Sequence, residues 1–210
     1  MAIYFMRYDG VSLAQRRGLE TIDLNLLYIL VKAPVEPVAQ AFSTLRQMNV
    51  WVPDAYGREI DIQNESIFVF RLRGHHWSIV YKPLMPVERL YLNEEDARRI
   101  SELLSTSAIF YGGSDTCATL EYHLFSNGIS VEKFFFEEEV TLEFQSQLRH
   151  IKAADIEDGY QFARDFVRNQ DAYIPNIVQV EDLIVGQRTI LRIEDLLRDE
   201  IERMDYLAQR

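Results

Sequence analysis

Ala118 to Phe136, ATLEYHLFSNGISVEKFFF, is the stretch that decides the fold. Two runs rich in aromatic and β-branched residues flank Asn127-Gly128, and both central positions of a two-residue hairpin turn need the positive φ that Asn and Gly tolerate best. Counting outward from that turn sets Leu124 opposite Val131, Tyr122 opposite Lys133 and Leu120 opposite Phe135 on a core face. The other face then carries Phe125 opposite Ser130, His123 opposite Glu132 and Glu121 opposite Phe134. That second face is half polar, so it is expected to be only partly covered. Phe134 and Phe136 point away from the core in this register, either into a second buried layer or towards a partner.

Working outward, Ser107 to Tyr111 reads as a strand ending at Gly112-Gly113, and Val140, Leu142 and Phe144 alternate after the acidic run Glu137-Glu138-Glu139. Further strands are expected at Ala2 to Arg7, Asn25 to Lys32, Ser66 to Leu72 and Trp77 to Lys82. The last two are joined by Arg73-Gly74-His75-His76 as a hairpin. In its second strand Trp77, Ile79 and Tyr81 share one face, and Ser78 and Val80 the other. A helix over 35 to 48 follows from Pro34 and Pro37 at its start and from Val35, Val38, Ala39, Phe42 and Leu45 at three- and four-residue steps. Asn93 caps a second helix over 94 to 105, with Ala97, Ile100, Leu103 and Leu104 as its buried stripe.

Beyond Arg149 the pattern becomes helical. Asp155 is placed to cap a helix lined by Ile156, Tyr160, Ala163, Phe166 and Val167, and from Arg192 onward Ile193, Leu196, Leu197, Ile201 and Met204 repeat at helical spacing. The fold class expected is α+β: an antiparallel-dominated sheet of about seven to nine strands, two helices on one face and an α-helical C-terminal segment. Composition alone divides residues 1–150, the sheet, from residues 151–210, a helical segment packed on it within one domain overall.

The 210 residues include 33 acidic and 22 basic side chains, a net charge of −11, which disfavours a nucleic-acid partner because no basic patch offsets it. A protein partner, basic if charge steers the encounter, is the alternative. No apolar run approaches the ~18 to 20 residues that cross a bilayer, and the N-terminus lacks the pattern of a secretory leader. With Cys117 as the single cysteine, a cytoplasmic location is expected.

Motifs that carry chemistry are scarce. Gly112-Gly113-Ser114-Asp115-Thr116 follows a strand but leads into another, so it reads as a turn and not a phosphate loop. The histidines, His75, His76, His123 and His150, lack metal-ligand spacing, so no metal and no cofactor is expected. The sharpest catalytic set is Cys117 with His75 or His76 and Asp115, since a thiolate needs an adjacent imidazole and a group to orient it. Against it stands the reading of Cys117 as a small buried residue. Candidate interaction residues are Trp51, Phe134, Phe136, Ile193, Leu197 and Ile201. Three functions follow: an interaction module of the regulator, inhibitor or toxin-neutralising type, a small enzyme, or a structural homo-oligomer joined through the terminal helix or a sheet edge.

Overall fold

The computed structural model describes residues 10–20, 26–82, 91–114, 116–177, 183–193 and 196–209. The strand expected at Ala2 to Arg7 lies outside them. Among the described residues the strands are β1 (Gly18–Leu19), β2 (Leu26–Val31), β3 (Val50–Val52), β4 (Glu59–Asp61), β5 (Glu65–Leu72) and β6 (Ser78–Tyr81) in the first half. The second half adds β7 (Ser107–Ser114), β8 (Thr119–Ser126), β9 (Ile129–Glu137), β10 (Thr141–Ser146), β11 (Tyr173–Ile174), β12 (Arg188–Ile190) and β13 (Ile201–Gln209). The helices are α1 (Val35–Arg46), α2 (Glu94–Leu103) and α3 (Gly159–Asn169).

Nine strands form one antiparallel sheet in the order β10-β9-β8-β7-β2-β6-β5-β13-β3. The α+β class with an antiparallel-dominated sheet is therefore what the chain adopts. Two small ladders, β1 with β11 and β12 with β4, stand outside that sheet. Alternation along the strands feeds two buried layers. Ile29, Val31, Val69, Val80, Phe110, Phe125 and Leu207 meet Val35, Val38 and Phe42 of α1 and Ala97 and Ile100 of α2 on one face. Tyr28, Phe68, Ile79, Tyr122, Phe134 and Met204 pack on the other with Ala163, Phe166 and Val167 of α3. Trp77, Ile79 and Tyr81 join the α3 layer and Val80 the opposite one, the split that a period of two requires.

Local signals explain the helix ends. Asn93 and Asp96 cap each other's backbone N–H groups at 3.1 Å in a reciprocal box at the start of α2. The stripe of α2 is narrower than expected: Ala97 and Ile100 are buried, but Leu103 in the last turn is exposed. α3 begins later than its periodicity suggests, because Asp158, not Asp155, accepts from Gln161 N–H at 2.9 Å, and Asp155 closes a 3₁₀ turn over Ala153–Asp155. β7 runs through Gly112-Gly113 to Ser114 and does not stop at them. A Cβ on Gly112 would stand 3.1 Å from Glu121 Cγ of the neighbouring strand, so glycine here permits close lateral packing within the sheet.

Among the described residues no helix runs from Arg192, where a terminal helix is expected. Its apolar residues split between a loop and β13, which inserts between β5 and β3 and is buried on both faces. Met204, Tyr206 and Ala208 face the α3 side while Leu207 faces α1. The spacing of Ile193, Leu197, Ile201 and Met204 is also one a bulged strand and its approach can satisfy, and pairing with residues 65–72 selects the strand. No helix among the described residues is long and apolar enough to cross a membrane.

Candidate functional site

The β8–β9 hairpin has the expected turn, with Asn127 at φ 50° and Gly128 at φ 78°. Ser126 pairs with Ile129 and Phe125 with Ser130 as counted from the sequence, but a bulge then leaves Val131 without a partner on β8. Leu124 consequently faces Glu132, His123 faces Lys133, Tyr122 faces Phe134 and Leu120 faces Phe136. One extra residue exchanges the two faces of everything that follows it. Phe134, read as outward from the sequence, is fully buried between Tyr122 and Phe162, each ring 5.2 Å away. Phe136 is half-buried under Tyr160 in an edge-to-face contact.

The same bulge turns Glu132 inward. It is 2% exposed and accepts from Tyr122 Oη at 2.9 Å, Ser146 Oγ at 2.6 Å and Arg149 Nε at 2.8 Å, with Arg149 Nη2 closing a bidentate pair. The guanidinium lies over the rings of Phe144 and Phe162. Burial beside Glu132 pushes the Tyr122 phenol well above its usual range. This network ties β8, β9, β10 and the segment leading to α3 together, and its groups are satisfied by one another.

The catalytic set read from the sequence does not assemble. His75 is buried in the β5–β6 turn, donates from Nε2 to the Leu13 carbonyl at 2.9 Å and stacks on Tyr173. His76 beside it is exposed. Cys117 is exposed, contrary to the buried reading, and stands in the β7–β8 turn. The register links Ser78 to Val31 and Val31 to Ala108 at the His75 end of the sheet, whereas Cys117 follows Ser114 at the other end. Six residues of strand at about 3.3 Å each put the two ends about 20 Å apart. Asp115 lies outside the described residues.

The interaction residues also separate. Ile193 and Ile201 are core residues, because the segment that carries them is built into the α3 layer and not a surface helix. Leu197 is exposed beside a cleft of about 830 Å³ lined by Tyr56, Ile193, Leu196, Arg192 and Arg198, where Arg198 is paired with Asp54 at 3.0 Å. Trp51 on the edge strand β3 is one-third exposed and donates its indole N–H to the buried Asp205 at 2.9 Å.

What remains open is the far edge of the sheet. Among the described residues β10 has no strand beyond it, and the Ala153–Asp155 turn packs beside it. The β9–β10 hairpin carries Glu137, Glu138, Glu139 and Glu143, none of which makes an ion pair with a described residue. Val140 in the turn is 71% exposed, and Leu148 and Ile129 at the opposite end of the hairpin are nearly as open. Four carboxylates without a described ion-pair partner, beside the exposed Val140, make a surface that attracts cations and gains from excluding water.

On the α2 side of the same hairpin, His123 is nearly buried. Its Nδ1 lies 3.0 Å from Glu94 Oε2 in the first turn of α2, and its Nε2 lies 2.6 Å from Ser130 Oγ. Lys133 Nζ approaches the same Glu94 oxygen at 3.3 Å. His123 therefore bonds Glu94 and Ser130, not the Glu132 that an unbulged register sets opposite it. The contact with Ser130 is legible in the sequence, because Phe125 opposite Ser130 makes His123 and Ser130 diagonal neighbours on one face. Comparison with family models, curated proteins and solved structures finds no match to this chain.

Proposed function

We propose that the chain is a cytoplasmic protein-interaction module, of the regulator, inhibitor or toxin-neutralising type, that holds a basic protein partner against its β9–β10 edge. The observation that carries this reading is the set of four glutamates, Glu137, Glu138, Glu139 and Glu143, that make no ion pair with a described residue around the exposed Val140, on the strand pair that ends the sheet among the described residues. Seven arginines elsewhere, Arg17, Arg46, Arg71, Arg98, Arg149, Arg198 and Arg203, meet carboxylates, whereas no described cation meets these four. An unpaired acidic edge in a chain of net charge −11 steers a cationic partner and repels a second copy of itself, so it supports a heterologous complex over a homo-oligomer joined at this edge.

The test is affinity capture from the host lysate with the wild-type chain and with a variant carrying Glu137→Gln, Glu138→Gln, Glu139→Gln and Glu143→Gln. Recovery of a basic protein by the wild type, weakened at moderate salt and lost with the neutralised edge, is the expected result. Equal recovery by both chains, or no specific recovery by either, overturns the reading.

A further inference from the structure

We propose that Ser130 is a nucleophile, activated by His123 and positioned by Glu94, able to accept an acyl group from unhindered esters at the sheet surface. The three side chains come from β9, β8 and the first turn of α2, and their order in space is hydroxyl, imidazole, carboxylate: Ser130 Oγ to His123 Nε2 at 2.6 Å, His123 Nδ1 to Glu94 Oε2 at 3.0 Å. A carboxylate only accepts, so Glu94 fixes the proton on Nδ1 and leaves the Nε2 lone pair facing Ser130. That is the tautomer a general base requires, and an imidazole so oriented is the arrangement that activates a serine.

Burial and access are divided as the chemistry needs. His123 is 8% exposed, held against Phe125 with ring centroids 4.0 Å apart, while Ser130 is exposed to solvent. Lys133, opposite His123 on the neighbouring strand, supplies positive charge on the same face, and Glu121 is the further carboxylate on this side of β8. Burial pushes the His123 pKa down, with Glu94 opposing it, so the imidazole is in its accepting form at neutral pH. The hydrogen bond from His123, aided by Lys133, holds the Glu94 carboxyl below its usual range.

In the step itself the Ser130 oxygen bonds to the ester carbonyl carbon as its proton passes to His123 Nε2. The carbonyl π pair moves onto oxygen, then returns as the C–O bond to the alcohol breaks and Nε2 hands the proton to the departing alkoxide. Water repeats the sequence on the acyl-Ser130 and releases the acid.

The test is labelling of the full chain with a fluorophosphonate probe, followed by peptide mapping. Labelling confined to Ser130 and abolished in Ser130→Ala is expected, with the rate falling about 100-fold or more in His123→Gln. Glu94→Gln should lower the rate and move the midpoint of its pH profile downward, because loss of the negative charge makes the imidazole less basic, a change that altered stability alone would not produce. Thermal melts show whether each variant is folded, and Ser130→Ala, at an exposed position, keeps the comparison valid if the histidine variant is not. Labelling of the native chain no faster than that of Ser130→Ala overturns the proposal, as does label mapped to another residue. Either result leaves the acidic-edge reading untouched, since no residue is shared.

Discussion

Replacing Arg149 by Met tests whether the inward turn of Glu132 is held by its ion pair. Methionine keeps most of the side chain's length over Phe144 and Phe162 but removes both N–H donors and the charge, leaving a 2% exposed carboxylate with only the Tyr122 and Ser146 hydroxyls. Breaking a buried pair in this way costs about 3–5 kcal/mol. Arg149 itself is 28% exposed, so water has a path to the abandoned carboxylate and the lower end, about 3 kcal/mol, is expected. For a chain of this size that is a fall of roughly 6–12 °C in Tm, or a matching shift in the urea midpoint at unchanged slope. The double variant Glu132→Leu with Arg149→Met removes both charges and should recover most of the loss, since an apolar replacement of a whole buried pair is often neutral or better. A single variant within about 1 kcal/mol of wild type, or a double variant less stable than the single, would refute the account.

Gly159→Ala should destabilise although glycine-to-alanine changes in helices ordinarily stabilise by about 0.5–1 kcal/mol, because the new Cβ would stand 2.5 Å from Phe136 Cγ. Overpacking of about 1–3 kcal/mol, read by urea denaturation, is expected, and a gain would mean the Phe136 ring moves freely aside. Burial lowers the pKa of both His75 and His123, so below the unfolded value near 6.5 the unfolded chain takes up more protons than the native one. Stability is therefore full above that pH and falls as the solution is acidified through it. His75→Gln should flatten the fall in urea midpoint between pH 7 and pH 5.5, and a midpoint that rises on acidification contradicts the sign. Cys117 should react with a thiol reagent in the native chain, one equivalent without denaturant, and Cys117→Ser should change stability by no more than about 0.5 kcal/mol. A native thiol that resists labelling would place it inside.

The features legible in the sequence are those that a few neighbouring residues decide. Asn127-Gly128 specifies the turn because only two dihedral pairs are at stake, and Asn93 specifies the start of α2 because its cap bonds reach three residues. Alternation in β6 and the apolar stripe of α1 are local periodicities, and with them came the α+β class and the two helices on one face.

Tertiary structure decided whatever a single-residue shift or a distant partner controls. The bulge at Val131 has no strong local signature, yet it sends Glu132 and Phe134 to the core and leaves His123 beside Ser130 and Glu94. β13 carries a pattern that also fits a helix, and it is a strand because residues 65–72, about 130 positions earlier in the chain, offer it a ladder on one side and β3 on the other. A side-chain period of two makes face assignment hostage to every insertion in the ladder, and an apolar run without fixed period takes the geometry of the edge it meets.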